Sequence, residues 1–238
     1  MKITLTKYDN IFFTSDTHYK HKNICRSVTN WRDENGNIPV DQTRDFKSLD
    51  HMNDCIVNSI NNKVGENDIL FHLGDWSFGG FENIEEFRNR INCKNIHLIL
   101  GNHDHHIERN KGNIQRLFSS VNEYLRLEVL VPSLAHFNPP HFIRHNFVLM
   151  HYPITSWHNM NDGVMHLHGH VHLPPHQKVN VGKAMDVGCD GNGMEPYSIY
   201  EIVSLLENRP NKCLVLPQDH HEERLEGSGG NKRGGSSF

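Results

Sequence analysis

The stretch Asn95-Ile-His-Leu-Ile-Leu-Gly-Asn-His-Asp104 decides the fold class, because a short apolar run ends directly in a cluster of polar side chains. An apolar run of four to eight residues bounded by turn residues is typical of a buried strand. In an α/β protein, the carboxyl ends of parallel strands form the edge where ligand-binding side chains collect. The stretch therefore predicts a strand that delivers Asn102, His103 and Asp104 to such an edge.

The same pattern, an apolar run followed by polar side chains, occurs four more times along the chain. The runs are Asn10–Thr14, Asp68–Leu73, Asn146–Met150 and Val164–His168. The polar residues that follow them are, in order, Asp16 and His18, Asp75, His151, and His170 and His172. Apolar residues at helical spacing over 46–60 and 84–91 predict two helices between the strands. This alternation predicts an α/β protein with a buried sheet.

Further elements are predicted outside these runs. Residues 124–131 alternate between apolar and polar side chains, as in a half-buried strand. Residues 183–188 predict another strand, residues 198–206 a helix, and Asn138-Pro-Pro140 a turn.

The chain is expected to form one domain over residues 1–225. Within it, the segment 26–65, which contains the first helix, is expected to form a cap or rim above the polar clusters. Residues 226–238 are rich in Gly and Ser and are expected to form a flexible tail.

Composition narrows the class of protein. The net charge of −4, from 24 basic and 28 acidic residues among 238, disfavours a protein that coats duplex nucleic acid by neutralising many phosphates. No apolar run approaches the roughly 18 residues that cross a bilayer, and the first residues lack the apolar stretch of a secretory signal. The five cysteines are far apart and form no C-x-x-C pair, which favours a reducing compartment. We therefore expect a cytoplasmic protein without a membrane span.

Histidine is unusually frequent, with 20 residues, and its positions favour a metal site. Imidazole mixed with carboxylate and amide oxygens suits manganese, iron, nickel or zinc, whereas magnesium and calcium prefer oxygen ligands alone. One aspartate carboxylate can bridge two ions that together hold a hydroxide and neutralise the phosphoryl oxygens of a substrate. The alternative, ordinary turns and core histidines without a function, is disfavoured by the recurrence of the clusters at strand ends.

The clusters occur in the order D-x-H, G-D, G-N-H-D, H and G-H-x-H. In this chain they are Asp16-Thr-His18, Gly74-Asp75, Gly101-Asn-His-Asp104, His151 and Gly169-His-Val-His172. This order resembles the calcineurin-like metallophosphoesterase superfamily, and residues 16–24 are similar to its small bacterial and phage members. The resemblance implies a four-layer α/β/β/α sandwich with two mixed sheets. It also implies two divalent transition-metal ions, with manganese the first choice and iron, nickel or zinc as alternatives.

The resemblance implies two sets of metal ligands joined by one bridging carboxylate. They are Asp16, His18 and His172 for the first ion, Asn102, His151 and His170 for the second, and Asp75 between them. In one respect the chain departs from the pattern, because Gly74-Asp-Trp-Ser-Phe-Gly79 lacks the further acidic residue that many relatives carry after Gly-Asp-x-x.

The resemblance also implies a catalytic role for two residues beside the metals. His103 would protonate the leaving oxygen or stabilise the charged transition state, and Asp104 would orient His103. Asn102, His103 and His21 are the expected contacts to substrate, with solvent exposure the alternative for His21. Trp76 and Phe78 could stack a base, although packing beneath a loop is the commoner role for such residues.

The function expected is hydrolysis of a phosphate ester, with a nucleotide-type phosphodiester as the first choice of substrate. The expected partner is a small phosphate ester, such as a nucleotide or a nucleic-acid end, and no extended duplex. A phosphomonoesterase acting on a small substrate is the close alternative. A non-catalytic scaffold of the same fold, or a protein that sequesters metal through clustered histidines, is less favoured, because none of the expected ligands is missing.

Overall fold

The part of the chain that the structure describes contains ten short strands and four α-helices. A computed structural model gives residues 1–6, 10–133, 141–179 and 182–211. The strands are β1 (Lys2–Thr4), β2 (Ile11–Thr14), β3 (Ile69–His72), β4 (Asn95–Ile99), β5 (Ser120–Asn122), β6 (Tyr124–Pro132), β7 (Phe142–Met150), β8 (Met165–His168), β9 (Ala184–Asp186) and β10 (Tyr197–Ser198). The helices are α1 (Leu49–Lys63), α2 (Phe81–Arg90), α3 (His105–Arg109) and α4 (Ile199–Leu206).

The strands form two five-stranded mixed sheets. The first sheet has the order β10-β2-β3-β4-β5, in which only β10 is antiparallel to its neighbour. The second has the order β1-β6-β7-β8-β9, in which β6 and β7 are antiparallel and the other pairs are parallel. The predicted α/β class with two mixed sheets is confirmed.

The two faces of the first sheet pack against separate apolar cores, because successive side chains of each strand point to opposite faces. On β2, Phe12 packs with the helices, whereas Ile11 and Phe13 face residues of the second sheet such as Phe147 and Leu167. The Phe13 ring contacts the Phe147 ring at a tilt of 41°, with ring centroids 5.6 Å apart. Burial of each such side chain stabilises the folded state by roughly 1.5–3 kcal/mol. The two sheets are therefore held face to face by a shared core.

The outer faces of the two sheets are covered differently. Helices α1 and α2 pack Met52, Ile56 and Phe87 against the outer face of the first sheet. Over the outer face of the second sheet, the described residues place a loop that carries Trp157 and Met160. Helix α4 packs into the core between the sheets. An outer α-helix over the second sheet, expected for four α/β/β/α layers, is not found within the described ranges.

The predicted secondary structure agrees with the structure at most positions. Each of the five runs that end in polar clusters is a strand, and the alternating segment 124–131 is the half-buried strand β6. The predicted helices correspond to α1, α2 and α4, and residues 184–186 form β9. The predicted turn at 138–140 and tail at 226–238 lie outside the described residues. The four cysteines in the described ranges are free thiols, and no helix there is long and apolar enough to cross a membrane.

The start of α4 gives a test of local stability. Ser198 caps this helix: its Oγ accepts from the Glu201 N–H at 3.2 Å, and the Glu201 carboxylate accepts from the Ser198 N–H at 2.6 Å. Ser198→Ala is expected to lower the free energy of unfolding by about 1 kcal/mol, measured by urea denaturation. Ser204→Ala, an exposed change within the same helix, is the control and should cost nothing, because Ala favours helix. Equal effects of the two substitutions would contradict the capping role.

Candidate metal centre

Parallel register brings the polar clusters to one end of both sheets. Thr14 of β2 pairs with His72 of β3, and His72 pairs with Leu98 of β4, so these three strands end level with one another. In the second sheet, β7 and β8 are likewise parallel and adjacent. The loops that follow these five strands carry all the predicted ligands. We call this set the candidate metal centre, and it consists of Asp16, His18, Asp75, Asn102, His151, His170 and His172.

Five of these seven residues have left-handed backbone conformations. The φ angles are 57° at Asp16, 48° at His18, 56° at Asp75, 73° at His170 and 50° at His172. Non-glycine residues rarely adopt positive φ, and such conformations persist only where the surrounding structure imposes them. The loops are therefore held in sharp turns that aim the side chains into one place.

The first group of side chains surrounds a single point. Nε2 of His18 lies 3.2 Å from Nε2 of His172 and 3.4 Å from Oδ2 of Asp75. Nε2 of His172 lies 3.7 Å from Oδ1 of Asp16. One ligand atom from each of Asp16, His18 and His172 lies within 4.8 Å of the others, which is the arrangement of side chains that share an ion.

The second group shares the Asp75 carboxylate with the first. Nε2 of His151 lies 3.6 Å from Oδ2 of Asp75 and 3.1 Å from Oδ1 of Asn102. The same Asn102 oxygen lies 2.9 Å from Nδ1 of His170. Asp75 therefore lies between the two groups, where a bridging ligand is expected.

The outward ring nitrogens of three histidines all face hydrogen-bond partners. Nδ1 of His151 lies 2.7 Å from the Leu73 carbonyl oxygen, and Nδ1 of His172 lies 2.7 Å from Oδ2 of Asp190. Nδ1 of His18 lies 3.3 Å from Nδ1 of His21. When Nδ1 donates in this way, the lone pair on Nε2 is directed inward, which is how metal-binding histidines are oriented.

Burial controls the charge of the first group. Removal from water raises the pKa of Asp16 to about 8, against the opposing attraction of His172. Burial, reinforced by the neighbouring His172 and Arg44, holds the pKa of His18 well below its ordinary value. For His172, burial lowers the pKa, but the hydrogen bond to Asp190 and the nearby Asp16 outweigh it and raise the pKa overall. Burial therefore favours the uncharged forms of both Asp16 and His18, and a nearby cation would reverse that shift at the Asp16 carboxyl.

The sequence analysis missed two residues that support this group, Arg44 and Asp190. The Arg44 guanidinium donates to both oxygens of Asp190 at 2.7 Å, and also to the carbonyl oxygens of Asp16 and Thr17. Asp190 in turn holds His172. Arg44 is only 5% exposed, and the neighbouring guanidinium holds the pKa of the Asp190 carboxyl well below its usual range despite burial. No short motif marks either residue, because they meet across 146 positions of sequence.

Asp104 has a different role from the one expected. Its Oδ2 accepts from the backbone N–H groups of Asp75 and Gly101 at 2.8 Å, and its Oδ1 accepts from the N–H of Trp76 at 3.0 Å. These bonds tie the Gly-Asp turn to the Gly-Asn-His-Asp turn. The expectation that Asp104 orients the His103 ring is therefore corrected, because both carboxylate oxygens bind backbone groups of these turns.

Of the other predicted site residues, His103 and His21 lie at the cavity, Trp76 is part of the core, and Phe78 packs on His21. His103 and His21 line a cavity beside the candidate metal centre. A ring nitrogen of His103 lies within 4.8 Å of ligand atoms of His18 and Asp75, so His103 could also contact an ion. Trp76 is fully buried against Phe87 and Phe118, and its role is packing. Phe78 is 40% exposed and stacks on His21 at 3.9 Å.

Gly169 lies where the loop after β8 meets the loop after β2. It is not among the described glycines with positive φ; the left-handed residues of this loop are His170 and His172 themselves. A Cβ atom at Gly169 would collide with Ser15 and with the Asp16 carboxylate. The glycine therefore allows the loop after β8 to lie directly against the loop after β2.

Comparison with known proteins gives relatives without an assigned activity. No family model matches the chain. It is 29% identical to the Gene 66 protein of Mycobacterium phage D29 over 184 residues, which cover 68% of this chain and 78% of the phage protein. It is 26% identical to the uncharacterized protein MJ1445 of Methanocaldococcus jannaschii over 202 residues, 83% of this chain and 91% of the archaeal protein.

One solved structure shares the fold. The crystal structure of the protein of unknown function AQ665 from Aquifex aeolicus superimposes with a TM-score of 0.53 at 21% identity, covering 83% of this chain and all of that one. A likeness at this identity concerns the fold alone.

The buried Arg44–Asp190 pair gives a test of how the centre is supported. Asp190→Asn is expected to lower the free energy of unfolding by about 3–5 kcal/mol, because it leaves the Arg44 guanidinium buried without its carboxylate. Adding Arg44→Met removes that buried charge, so the loss in the double variant should be smaller than the sum of the two single losses. Urea denaturation of metal-free protein measures all three variants.

The matched control is the exposed pair of Arg90 and Asp54, whose atoms lie 2.6 Å apart with side chains 33% and 57% exposed. Asp54→Asn should cost less than about 1 kcal/mol, because exposed pairs contribute little. Additive losses at Arg44 and Asp190 would contradict a coupled buried pair.

Proposed function

We propose that the protein is a phosphoesterase that uses two divalent metal ions and belongs among the calcineurin-like metallophosphoesterases. The observation that carries the proposal is that metal-binding atoms from several loops converge around the Asp75 carboxylate. One ligand atom from each of Asp16, His18 and His172 lies within 4.8 Å of the others, and the same holds for Asp16, Asp75 and His151. Nε2 of His151 also lies 3.1 Å from Oδ1 of Asn102. Imidazole, carboxylate and amide groups gathered in this way are suited to divalent transition metals.

The donor set supports transition metals over magnesium or calcium. Four imidazoles, two carboxylates and one amide oxygen make up the centre, and imidazole favours manganese, iron, nickel or zinc. Asp16, His18 and His172 would hold one ion, Asn102, His151 and His170 the other, and Asp75 both. When bound, two such ions activate water and neutralise charge on phosphoryl oxygens.

The residues of the chain then supply orientation and proton transfer. Asp190 and the Leu73 carbonyl oxygen fix the rings of His172 and His151, so these ligands need little rearrangement. His103 is half-buried beside the centre, and its backbone N–H donates to Oδ1 of Asp75 at 2.9 Å. From this position its imidazole can deliver a proton to the leaving oxygen of an ester held at the metals.

The substrate proposed is a small phosphate ester, with a nucleotide-type diester favoured over a monoester. The cavity beside the centre has a volume of about 490 Å³, within the roughly 300–1,000 Å³ of small-molecule sites. Its walls include residues 41–44 of the segment that the sequence predicted as a cap or rim. A cavity of this size favours a small ester over a folded phosphoprotein.

Asp75→Asn tests the metal centre and the reaction together. The variant is expected to bind fewer than two ions per chain and to lose about 100-fold or more of its manganese-dependent hydrolysis of a chromogenic diester, because the shared carboxylate is removed. Metal content is measured by elemental analysis and activity by product absorbance, with the matching monoester assayed in parallel. Asp162→Asn, which changes an exposed carboxylate, is the control.

Three results separate the alternatives. Faster turnover of the monoester than of the diester would support the proposed metal centre, but it would show that the protein is a phosphomonoesterase and not a phosphodiesterase. Two bound ions with no turnover of either ester would favour the scaffold. Variable metal loading that Asp75→Asn does not alter would favour sequestration.

His103→Gln tests the role of that side chain. The turnover number is expected to fall about 10²- to 10⁴-fold, while two ions per chain remain bound. His105→Gln, at an exposed residue two positions along, serves as the comparison. If His103→Gln instead releases an ion, then His103 is a metal ligand and the proton comes from another group.

A further inference from the structure

The cavity beside the candidate metal centre is also lined by residues that the proposed chemistry does not use. They include Trp31, Ile24, Pro174 and Pro175. Trp31 is half-buried, whereas the other two tryptophans of the chain, Trp76 and Trp157, are at most 9% exposed. The cavity therefore offers an aromatic side chain and apolar surface to whatever enters it.

Trp31 has little internal reason to lie there. Its ring meets the edge of the His21 ring at 5.8 Å, and its backbone N–H donates to Thr29. No hydrogen bond to its indole N–H is found within the described residues. A large aromatic side chain at a cavity wall, partly open to solvent and with an unused donor, is typical of a residue that stacks on a ligand.

Trp31 and the candidate metal centre open onto the same cavity. Trp31 lines this cavity together with His18, Asp75 and His172, and the His21 ring contacts both sides, with centroids 5.8 Å from Trp31 and 5.1 Å from His18. One ligand in this cavity can therefore meet the Trp31 side chain and the candidate metal centre together.

Polar groups at the rim suit the edge of a base. Gln42 lines the cavity and is exposed, and no hydrogen bond to its side-chain amide is found in the part of the chain that the structure describes. An amide can donate and accept together, as base edges require. Asp41 beside it adds a carboxylate acceptor.

We propose that this cavity binds a nucleoside phosphate with its base stacked on Trp31 and its phosphate at the candidate metal centre. The inference rests on the proposed phosphoesterase and names its substrate class. A simple sugar phosphate would leave the Trp31 side chain without a stacking partner, so the site is expected to bind nucleoside phosphates more tightly than sugar phosphates. Trp31 is then the residue that determines specificity, and it comes from the cap segment and not from the residues around Asp75.

The test measures binding to manganese-saturated protein by isothermal titration calorimetry. The probes are the phosphonate analogue of AMP, whose P–C bond cannot be hydrolysed, and the matching ribose phosphonate, which lacks the base. Base stacking on an aromatic side chain is worth about 5- to 100-fold in affinity, so the AMP analogue is expected to bind wild type at least about 10-fold more tightly. Trp31→Ala should remove most of this preference and Trp31→Phe should keep most of it. Val40→Ala, at an exposed cap residue that does not line the cavity, is the matched control.

Equal affinity of wild type for the two probes would overturn the inference, as would a Trp31→Ala variant that loses affinity for both probes equally. Because neither probe is hydrolysed, the result does not depend on activity. A preference for the base in a protein that hydrolyses no ester would contradict the proposed function alone. Ester hydrolysis without a preference for the base would contradict only the role of Trp31.

Discussion

The constraint on which the rest depends is the burial of carboxyl and imidazole groups around one point. Asp16 is fully buried and Asp75 nearly so, and the Nε2 atoms of His18 and His172 lie 3.2 Å apart. Buried polar groups in such an arrangement need partners, and the backbone N–H groups of His170 and His103 donate to Asp16 and Asp75. The surrounding structure maintains it through residues that fix the rings from outside, namely Asp190, His21 and the Leu73 carbonyl oxygen. The left-handed backbone at five of the seven residues belongs to the same arrangement, because it forms sharp turns that direct these side chains toward one point.

Most of this arrangement could be predicted from local sequence, because each strand and the polar residues after it are contiguous. The apolar runs before Asp16, Asp75 and Asn102 form parallel neighbours, so residues far apart in sequence end level in the sheet. Local sequence patterns could not predict the long-range contacts that support the candidate metal centre. Arg44 and Asp190 are ordinary residues in the sequence, and only the fold pairs them beneath the Asp16 loop. The role expected of Asp104 came from the family resemblance, whereas its carboxylate accepts from backbone N–H groups, which the sequence motif does not reveal.

The layers of the fold show a similar division. The helices over the first sheet were predictable because α1 and α2 carry apolar residues at helical spacing. The cover over the second sheet was not, because Trp157 and Met160 lie in a loop without periodicity. The sequence also did not show which face of the first sheet each apolar residue occupies. Phe12 and Phe13 are the same residue type in one apolar run, yet they pack into different cores.

The predicted cap segment, residues 26–65, contributes to the apolar core, to the support of the candidate metal centre and to the cavity. Its helix α1 is part of the outer core, Arg44 anchors it beneath the Asp16 loop, and Trp31 reaches the cavity wall. Because Arg44 ties this segment to Asp190, and Asp190 holds His172, the lining of the cavity and the His172 ring share one support. A displacement of residues 41–44 would therefore alter both the shape of the cavity and the orientation of His172. Under the proposed function, changes in this segment that keep Arg44 in place would alter the cavity without disturbing the proposed metal ligands.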